Sequence, residues 1–124
     1  SIYSYTATFP TVGMLGVYAG LKPDSLSEAE KVIGEEAEKL CTAEVSSYEL
    51  EKTRAQLRCG IIMSQESVTS VMTENGKAQL LRGSIRTDSE IIRRIESVTA
   101  QDVRQAARKI FESDKKAVFV LKPQ

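Results

Sequence analysis

The side chains of this chain that could do chemistry are few, because the sequence contains no histidine. Ser-His and Cys-His catalytic pairs are therefore excluded, and no Gly-x-Ser-x-Gly elbow activates a serine. Glu49 and Glu51 offer two carboxylates for acid and base work if they are buried together. They stand two positions apart on a predicted helix, where side chains diverge. We therefore interpret Glu49 as a helix cap and Glu51 as a surface charge.

The two cysteines, Cys41 and Cys59, are the only soft metal ligands in the sequence. Zinc takes about four ligands, mostly thiolates, imidazoles and carboxylates, so two cysteines without Cys-x-x-Cys spacing make a poor site. Each lies on the apolar side of a predicted helix, which is typical of buried free thiols. A disulfide would require those two helices to pack against each other. Sparse cysteine usage favours a reducing, soluble compartment such as the bacterial cytoplasm.

Three glycines, Gly13, Gly16 and Gly20, lie in one short stretch. A phosphate-binding loop would need a Gly-x-Gly-x-x-Gly pattern or a Lys-Ser/Thr ending, and the stretch has neither. We interpret these glycines as a bulge or a close backbone approach within a strand.

Length and charge exclude other classes of protein. A chain of 124 residues with 41% hydrophobic and 27% charged residues fits a single globular domain over residues 1–124. Its 17 basic and 17 acidic side chains give no overall field for nucleic acid or anionic lipid. No apolar run approaches the roughly 20 residues of a membrane helix. The charges are unevenly distributed along the chain, because residues 1–81 carry a net charge of −4 and residues 82–124 a net charge of +4. Two solvated helical faces explain this asymmetry, and an interdomain docking face is the alternative.

Alternation of side chains predicts a strand over residues 2–9, with Tyr3 and Tyr5 on one face. Pro10 marks a turn, and residues 12–21 form a second, nearly apolar strand that completes a hairpin. We interpret the two tyrosines as core or sheet-face aromatics. The chain opens directly inside this pattern with no leader sequence, so we expect a fragment of a longer protein.

Amphipathic spacing predicts five helices after the hairpin. Capping boxes indicate where helices begin, and a glycine indicates where one ends. The predicted helices are one running to about residue 42 from a box at Ser25 or Ser27, one over residues 47–64 after Ser46-x-x-Glu49, one over residues 66–82 before Gly83, a short one after Thr87-x-x-Glu90, and a last one after Thr99-x-x-Asp102. Residues 117–121 are apolar and predict a closing strand.

This order of elements predicts an α+β fold. We expect a two-layer sandwich with a mostly antiparallel sheet, in the order β-β-α-α-α-α-α-β, and with the helices packed on one face. The closing strand is expected beside the hairpin, because a single strand would leave its backbone groups unpaired. An unpaired edge of that sheet predicts self-association, so a homodimer is possible by strand pairing.

Short phrases follow one another along the chain in a definite order. They are GMLGVYAG at 13–20 followed by Lys22-Pro23, ELEKTRAQL at 49–57, MSQES at 63–67, GKAQLLRG at 76–83, VTAQDV at 98–103 and ARKIF at 107–111. No phrase is specific alone, but their order and spacing resemble the C-terminal region of the pitrilysin or insulinase family of zinc peptidases. The mitochondrial processing peptidase type is the most similar. The resemblance covers nearly the whole chain.

The resemblance implies the non-catalytic half of such an enzyme. The family binds zinc through an inverted His-x-x-Glu-His helix and a further Glu, which a chain without histidine cannot carry. The chain is thus expected to hold no catalytic, cofactor or metal residue, and zinc is expected in the parent protein's N-terminal half. In the family an Arg and a Tyr of the C-terminal half donate to the developing oxyanion. Both match positions before Ser1, so neither is assigned to a residue here.

The function implied by the resemblance is to help enclose and position a peptide or unfolded segment against a zinc-bearing N-terminal half or a homologous subunit. The alternative is a domain of a catalytically inactive partner or structural subunit of the same family. The full-length gene distinguishes these two hypotheses, because a substrate-enclosing domain of an enzyme requires the inverted zinc motif upstream. Nucleic-acid and membrane partners are not expected, since the chain has no aromatic and basic stripe.

Overall fold

The computed structural model describes residues 1–112 and 115–121. The chain divides into two compact units, of which the first comprises Ser1–Glu44 with Gln101–Gln124 and the second Val45–Ala100. Two strands and five helices form in the described residues, so the fold is α+β as predicted.

The first unit begins with an antiparallel hairpin of β1 (Ile2–Thr8) and β2 (Gly13–Ala19). The register places Ile2 opposite Ala19, and every residue of β1 has a partner in β2. The turn lies at Pro10 as predicted, where the fixed φ of proline suits a chain reversal. Both strands and the turn match the sequence-based prediction to within two residues.

The helix α1 (Leu26–Thr42) follows a short 3-10 turn at Pro23–Ser25. Ser25 is its N-cap residue, but its side chain makes no capping hydrogen bond, so the predicted capping box is wrong here. The reason is local, because Ser25 has φ −93° and ψ 1°, and a capping side chain requires an extended backbone at this position. The predicted apolar stripe is half-buried along most of its length and ends at the buried Cys41.

The helix α5 (Ala100–Phe111) is joined to the C-terminal end of α1 within the first unit. The Arg108 Nε–H donates to the Cys41 carbonyl at 2.9 Å, and an Arg104 guanidinium nitrogen lies 3.3 Å from a Glu44 carboxylate oxygen. The Arg108 bond satisfies a carbonyl at a helix end that has no partner within its own helix.

The second unit contains α2 (Ser47–Ser64), α3 (Val68–Arg82) and α4 (Asp88–Ser97). The capping boxes predicted at Ser46 and Thr87 are present, at the starts of α2 and α4. The predicted stop at Gly83 is also confirmed, because this residue ends α3 with φ 70°, in the left-handed region that favours glycine. The predicted break between two long helices falls at residues 65–67.

One arginine connects α2 to the end of α4. Arg54 forms an ion pair with Glu51 on its own helix and donates from Nη2 to the Val98 carbonyl at 2.5 Å. Its side chain is 22% exposed, so the charged group is largely removed from water. The carbonyl it binds follows the last turn of α4, where a cation also interacts favourably with the helix dipole.

The predicted closing strand is wrong. Residues 117–121 form no strand in the part of the chain that the structure describes, and Phe119 and Leu121 are among its most exposed hydrophobic residues. A run of β-branched and aromatic residues becomes a strand only when a neighbour supplies ladder hydrogen bonds. Most side chains of the hairpin are exposed. The predicted packing of the helices against one face of the sheet therefore stays a prediction.

Candidate functional site

Three tyrosines share one face of the hairpin. The register pairs Tyr3 with Tyr18 and Tyr5 with Gly16, and alternate residues of a strand point to the same face. The rings of Tyr3 and Tyr18 stack with centroids 5.0 Å apart and planes 27° apart. The Tyr3 and Tyr5 rings lie 6.3 Å apart. We call these three residues the tyrosine face.

Gly16 makes the arrangement of the tyrosine face possible. The ring of Tyr5 lies across the backbone at this position, so a Cβ atom added at Gly16 would collide with it. The close backbone approach expected for the glycines of this stretch is therefore found at Gly16, where the approaching group is an aromatic ring. Any larger residue would push the Tyr5 ring off the strand.

The tyrosine face is open to solvent. Tyr3, Tyr5 and Tyr18 are 56%, 47% and 50% exposed, and residues 1–21 contain no charged side chain. Aromatic rings with a hydroxyl at the tip provide a large apolar contact and one polar handle each. Such a surface suits the side chains and backbone of a peptide better than it suits an ion.

The edges of the hairpin offer a second kind of contact. Among the described residues of the first unit, β1 and β2 pair only with each other, so each strand has one outer edge with backbone groups facing away from the hairpin. An extended peptide can add to such an edge through main-chain hydrogen bonds, with its side chains reaching the face of the sheet. The tyrosine face and the two edges together form our candidate functional site.

The two glutamates considered for acid and base chemistry take structural roles. The Glu49 carboxylate accepts hydrogen bonds from the Ser46 hydroxyl at 2.8 Å and the Ser46 N–H at 3.1 Å. Its pKa is lowered, mainly by the bond from the Ser46 side chain and next by that from the backbone. Glu51 pairs with Arg54. Both roles agree with the sequence-based interpretation.

The cysteines behave differently from each other. Cys41 is a buried free thiol as predicted, whereas Cys59 is exposed, so the prediction of burial is wrong for it. Its Sγ lies 3.8 Å from the Met63 sulfur one turn along α2, and the helix face that carries both sulfurs is left open. The misjudgement arose because periodicity shows which face is apolar but not whether another element covers it.

The residues present do not fit the zinc site that the resemblance implies for the parent. The chain has no histidine, and residues 1–112 and 115–121 contain no group of three or more His, Cys, Asp or Glu side chains placed to hold a metal. We therefore derive no chemical step through zinc. Within the same described ranges, no helix is both long enough and apolar enough to cross a membrane.

Sequence reasoning identified Tyr3 and Tyr5 as core or sheet-face aromatics but overlooked Tyr18. A signal for it was available, because a hairpin turn centred between Pro10 and Thr11 places residue 18 opposite residue 3. The structure supports the sheet-face interpretation of the first two, since both are exposed. The substrate-contacting Arg and Tyr of the resemblance correspond to no described residue.

Comparison with known proteins gives a consistent set of relatives. The family described as the peptidase M16 inactive domain matches residues 1–57. An uncharacterized zinc protease of Bacillus subtilis is 34% identical over 114 residues, covering 92% of this chain and 28% of that protein. The beta subunit of the mitochondrial-processing peptidase of Neurospora crassa is 30% identical over 118 residues, covering 92% of this chain and 24% of that subunit.

A further relative has a different name. Subunit 2 of the mitochondrial cytochrome b-c1 complex of Mus musculus is 26% identical over 117 residues, covering 94% of this chain and 26% of that subunit. The chain therefore spans about a quarter of the length of the curated relatives it matches.

Proposed function

Because the chain belongs to the pitrilysin or insulinase (M16) family as part of its inactive C-terminal domain, we propose that it encloses a peptide substrate and positions it against a zinc-bearing half of the parent protein. Residues 1–124 act as one domain in this proposal, and the second half belongs to the same protein or to a homologous subunit. The names zinc protease and mitochondrial-processing peptidase among its relatives support this direction.

The observation that carries the proposal is the open tyrosine face beside two strand edges that are unpaired among residues 1–112 and 115–121. A peptidase must hold its substrate in an extended form, and an uncharged sheet edge binds extended backbone without demanding a particular side chain. The tyrosines add apolar contact at low conformational cost, because each has only two rotatable side-chain bonds. In this proposal the contacts hold the peptide beside the zinc-bearing half and lower the KM for its cleavage.

The proposal is tested by removing the tyrosine face from the full-length parent protein. Replacing Tyr3 and Tyr18 together by alanine should raise the KM for peptide cleavage by about tenfold and leave kcat nearly unchanged, because the lost contacts bind substrate and transition state equally. The matched control is Tyr48→Ala, since Tyr48 is a 75% exposed tyrosine on α2 in the second unit. An unchanged KM, or an equal change in the control, would contradict the proposal.

The second candidate function is a domain of an inactive partner or structural subunit. The similarity to subunit 2 of the cytochrome b-c1 complex favours it, because that relative is named as a component of a respiratory complex rather than as a protease. The parent gene separates the two candidates. An inverted His-x-x-Glu-His motif upstream of these residues supports the enzyme, and a decayed motif supports the partner subunit. Purified parent protein without zinc and without peptide cleavage would support the partner subunit independently.

A further inference from the structure

Within the second unit, the arginines of α2 differ in ion pairing from those in and just before α4. Those on α2 are ion-paired with acidic residues of the same unit. By contrast, Arg86, Arg93 and Arg94 form no ion pair within residues 1–112 and 115–121. All three are exposed. A guanidinium group carries five N–H donors in a planar fork, so three unpaired groups in one region leave a large donor capacity unused.

The three arginines surround one surface pocket. Arg86 precedes α4, Arg93 and Arg94 lie in its second half, and together with Glu90 they line an open pocket of about 240 Å³. We call this pocket and its three arginines the arginine pocket. Its open form excludes a buried small-molecule site and suits a segment of chain laid across the surface.

Glu90 is already engaged and does not neutralise the pocket. Its carboxylate accepts hydrogen bonds from the Thr87 N–H at 2.7 Å and the Thr87 hydroxyl at 3.0 Å. These bonds are the largest causes that lower the pKa of Glu90, ahead of the charges of Arg93 and Arg86. The nearby Asp88 accepts from the Gln65 side-chain amide at 3.1 Å. One carboxylate in the lining therefore faces three guanidinium groups, which leaves an excess of positive charge.

The spacing of the arginines indicates the occupant. Arg86 precedes α4, and from its first residue, Asp88, to Arg94 the helix rises about 9 Å, which is wider than a single phosphate group. In an extended peptide, side chains two residues apart lie about 7 Å apart on the same face. Two carboxylates in alternation therefore fit within this length, and each can form a bidentate pair with a guanidinium.

We propose that the arginine pocket is a docking site for an acidic segment of polypeptide, with carboxylates in alternate positions. This inference is independent of the tyrosine face and does not rest on the proposed function. Exposed ion pairs are individually weak and are screened by salt. The site should therefore bind through several pairs at once, with an affinity that falls by about tenfold between low and moderately high salt.

The test uses the full chain and a fluorescent nonapeptide of alternating Glu and Ser. Fluorescence anisotropy should show salt-sensitive binding of this peptide, and no binding of the same peptide with Gln in place of Glu. The double variant Arg93→Gln/Arg94→Gln should weaken binding by about tenfold. The control Lys52→Gln/Lys77→Gln removes the same net charge from the same unit and should weaken binding less than twofold, because neither lysine lines the pocket.

Two further measurements keep the proposal testable if the double variant loses its fold. Arg86→Gln lies before the N-cap residue of α4, so it should weaken binding without disturbing the helix. Displacement by inorganic phosphate at low millimolar concentration would overturn the proposal in favour of a phosphate site. Equal losses in the arginine and lysine variants would also overturn it, because the peptide would then sense only the general charge of the chain.

Discussion

The hairpin and the helical second unit of this protein satisfy their polar groups in different ways. In Val45–Ala100, capping boxes and several ion pairs link residues three or four positions apart. Longer connections join Arg54 to the Val98 carbonyl, Arg58 to Glu96 and Gln65 to Asp88. In β1 and β2 no side chain is charged and the tyrosines are exposed. Each strand also has one edge that no other strand of the described residues pairs with. Outside the arginine pocket, the helical unit therefore pairs many of its charged groups within itself, whereas the hairpin presents backbone groups that need a partner.

This contrast indicates which part of the protein is expected to bind a partner. A free strand edge is a template for pairing, and proteins usually protect it with charges, proline or a covering element. The hairpin has proline only in its turn and no charge in either strand. The contrast between the two regions thus favours binding through backbone edges and aromatic rings at the hairpin, whereas the helical unit offers only the charged side chains of the arginine pocket.

The largest expected effect tests the connection that Arg54 makes between α2 and the end of α4. Arg54→Ala removes a charged donor to the Val98 carbonyl and the ion pair with Glu51. We therefore expect the free energy of unfolding of the helical unit to fall by about 2 kcal/mol. Hydrogen exchange of the α2 and α4 amides measures it. The matched control Arg58→Ala breaks an exposed pair with Glu96 and should cost less than about 0.5 kcal/mol. Equal effects would mean that the Arg54 connection is not special.

The next effect tests the need of the hairpin for a partner. We expect the chain to self-associate with a second copy through its strand edges, and Val17→Lys should weaken that association by roughly tenfold by placing a charge within β2. Sedimentation velocity over a range of concentrations measures it. Val68→Lys adds the same charge at an exposed position of α3 and should leave association unchanged. A strict monomer at high concentration contradicts the prediction.

The third effect compares two glycines of the helical unit whose backbone conformations differ. Gly83→Ala should destabilise it by about 1 kcal/mol, because an alanine is strained at φ 70°. Gly76→Ala should stabilise it by about 0.5 to 1 kcal/mol, because this position is helical and open around the added Cβ atom. Urea unfolding followed by circular dichroism compares the two, and the same sign for both would refute the explanation.

The smallest expected effect is on the pH dependence of stability, and it is confined to the helical unit. The capping bonds lower the pKa values of Glu49 and Glu90, so these carboxylates contribute stability above their unfolded pKa. That contribution is lost as the pH falls from about 4.3 through the lowered folded-state values. Exchange protection of the first turns of α2 and α4 should decrease over this range. Ser46→Ala and Thr87→Ala should reduce the dependence, and an unchanged acid response would contradict the assignment.

Much of the fold could be predicted from short-range patterns. The capping boxes at Ser46 and Thr87 and the stop at Gly83 depend on residues within one turn of each other, and all three are confirmed. The hairpin was equally accessible, because alternation and a proline turn set its register. The family resemblance was also carried by the sequence, and the relatives that match support it.

The sequence by itself determined the identity and the limits of the helices, the hairpin and the absence of a histidine-based site, because these depend on residue type and local spacing. Features that depend on contacts between distant residues were set only by the tertiary structure. It left residues 117–121 without strand pairing, exposed Cys59 while burying Cys41, and stacked Tyr18 on Tyr3. The physical reason is that an apolar pattern fixes which face can be buried, whereas burial and ladder hydrogen bonds require another element to occupy that face.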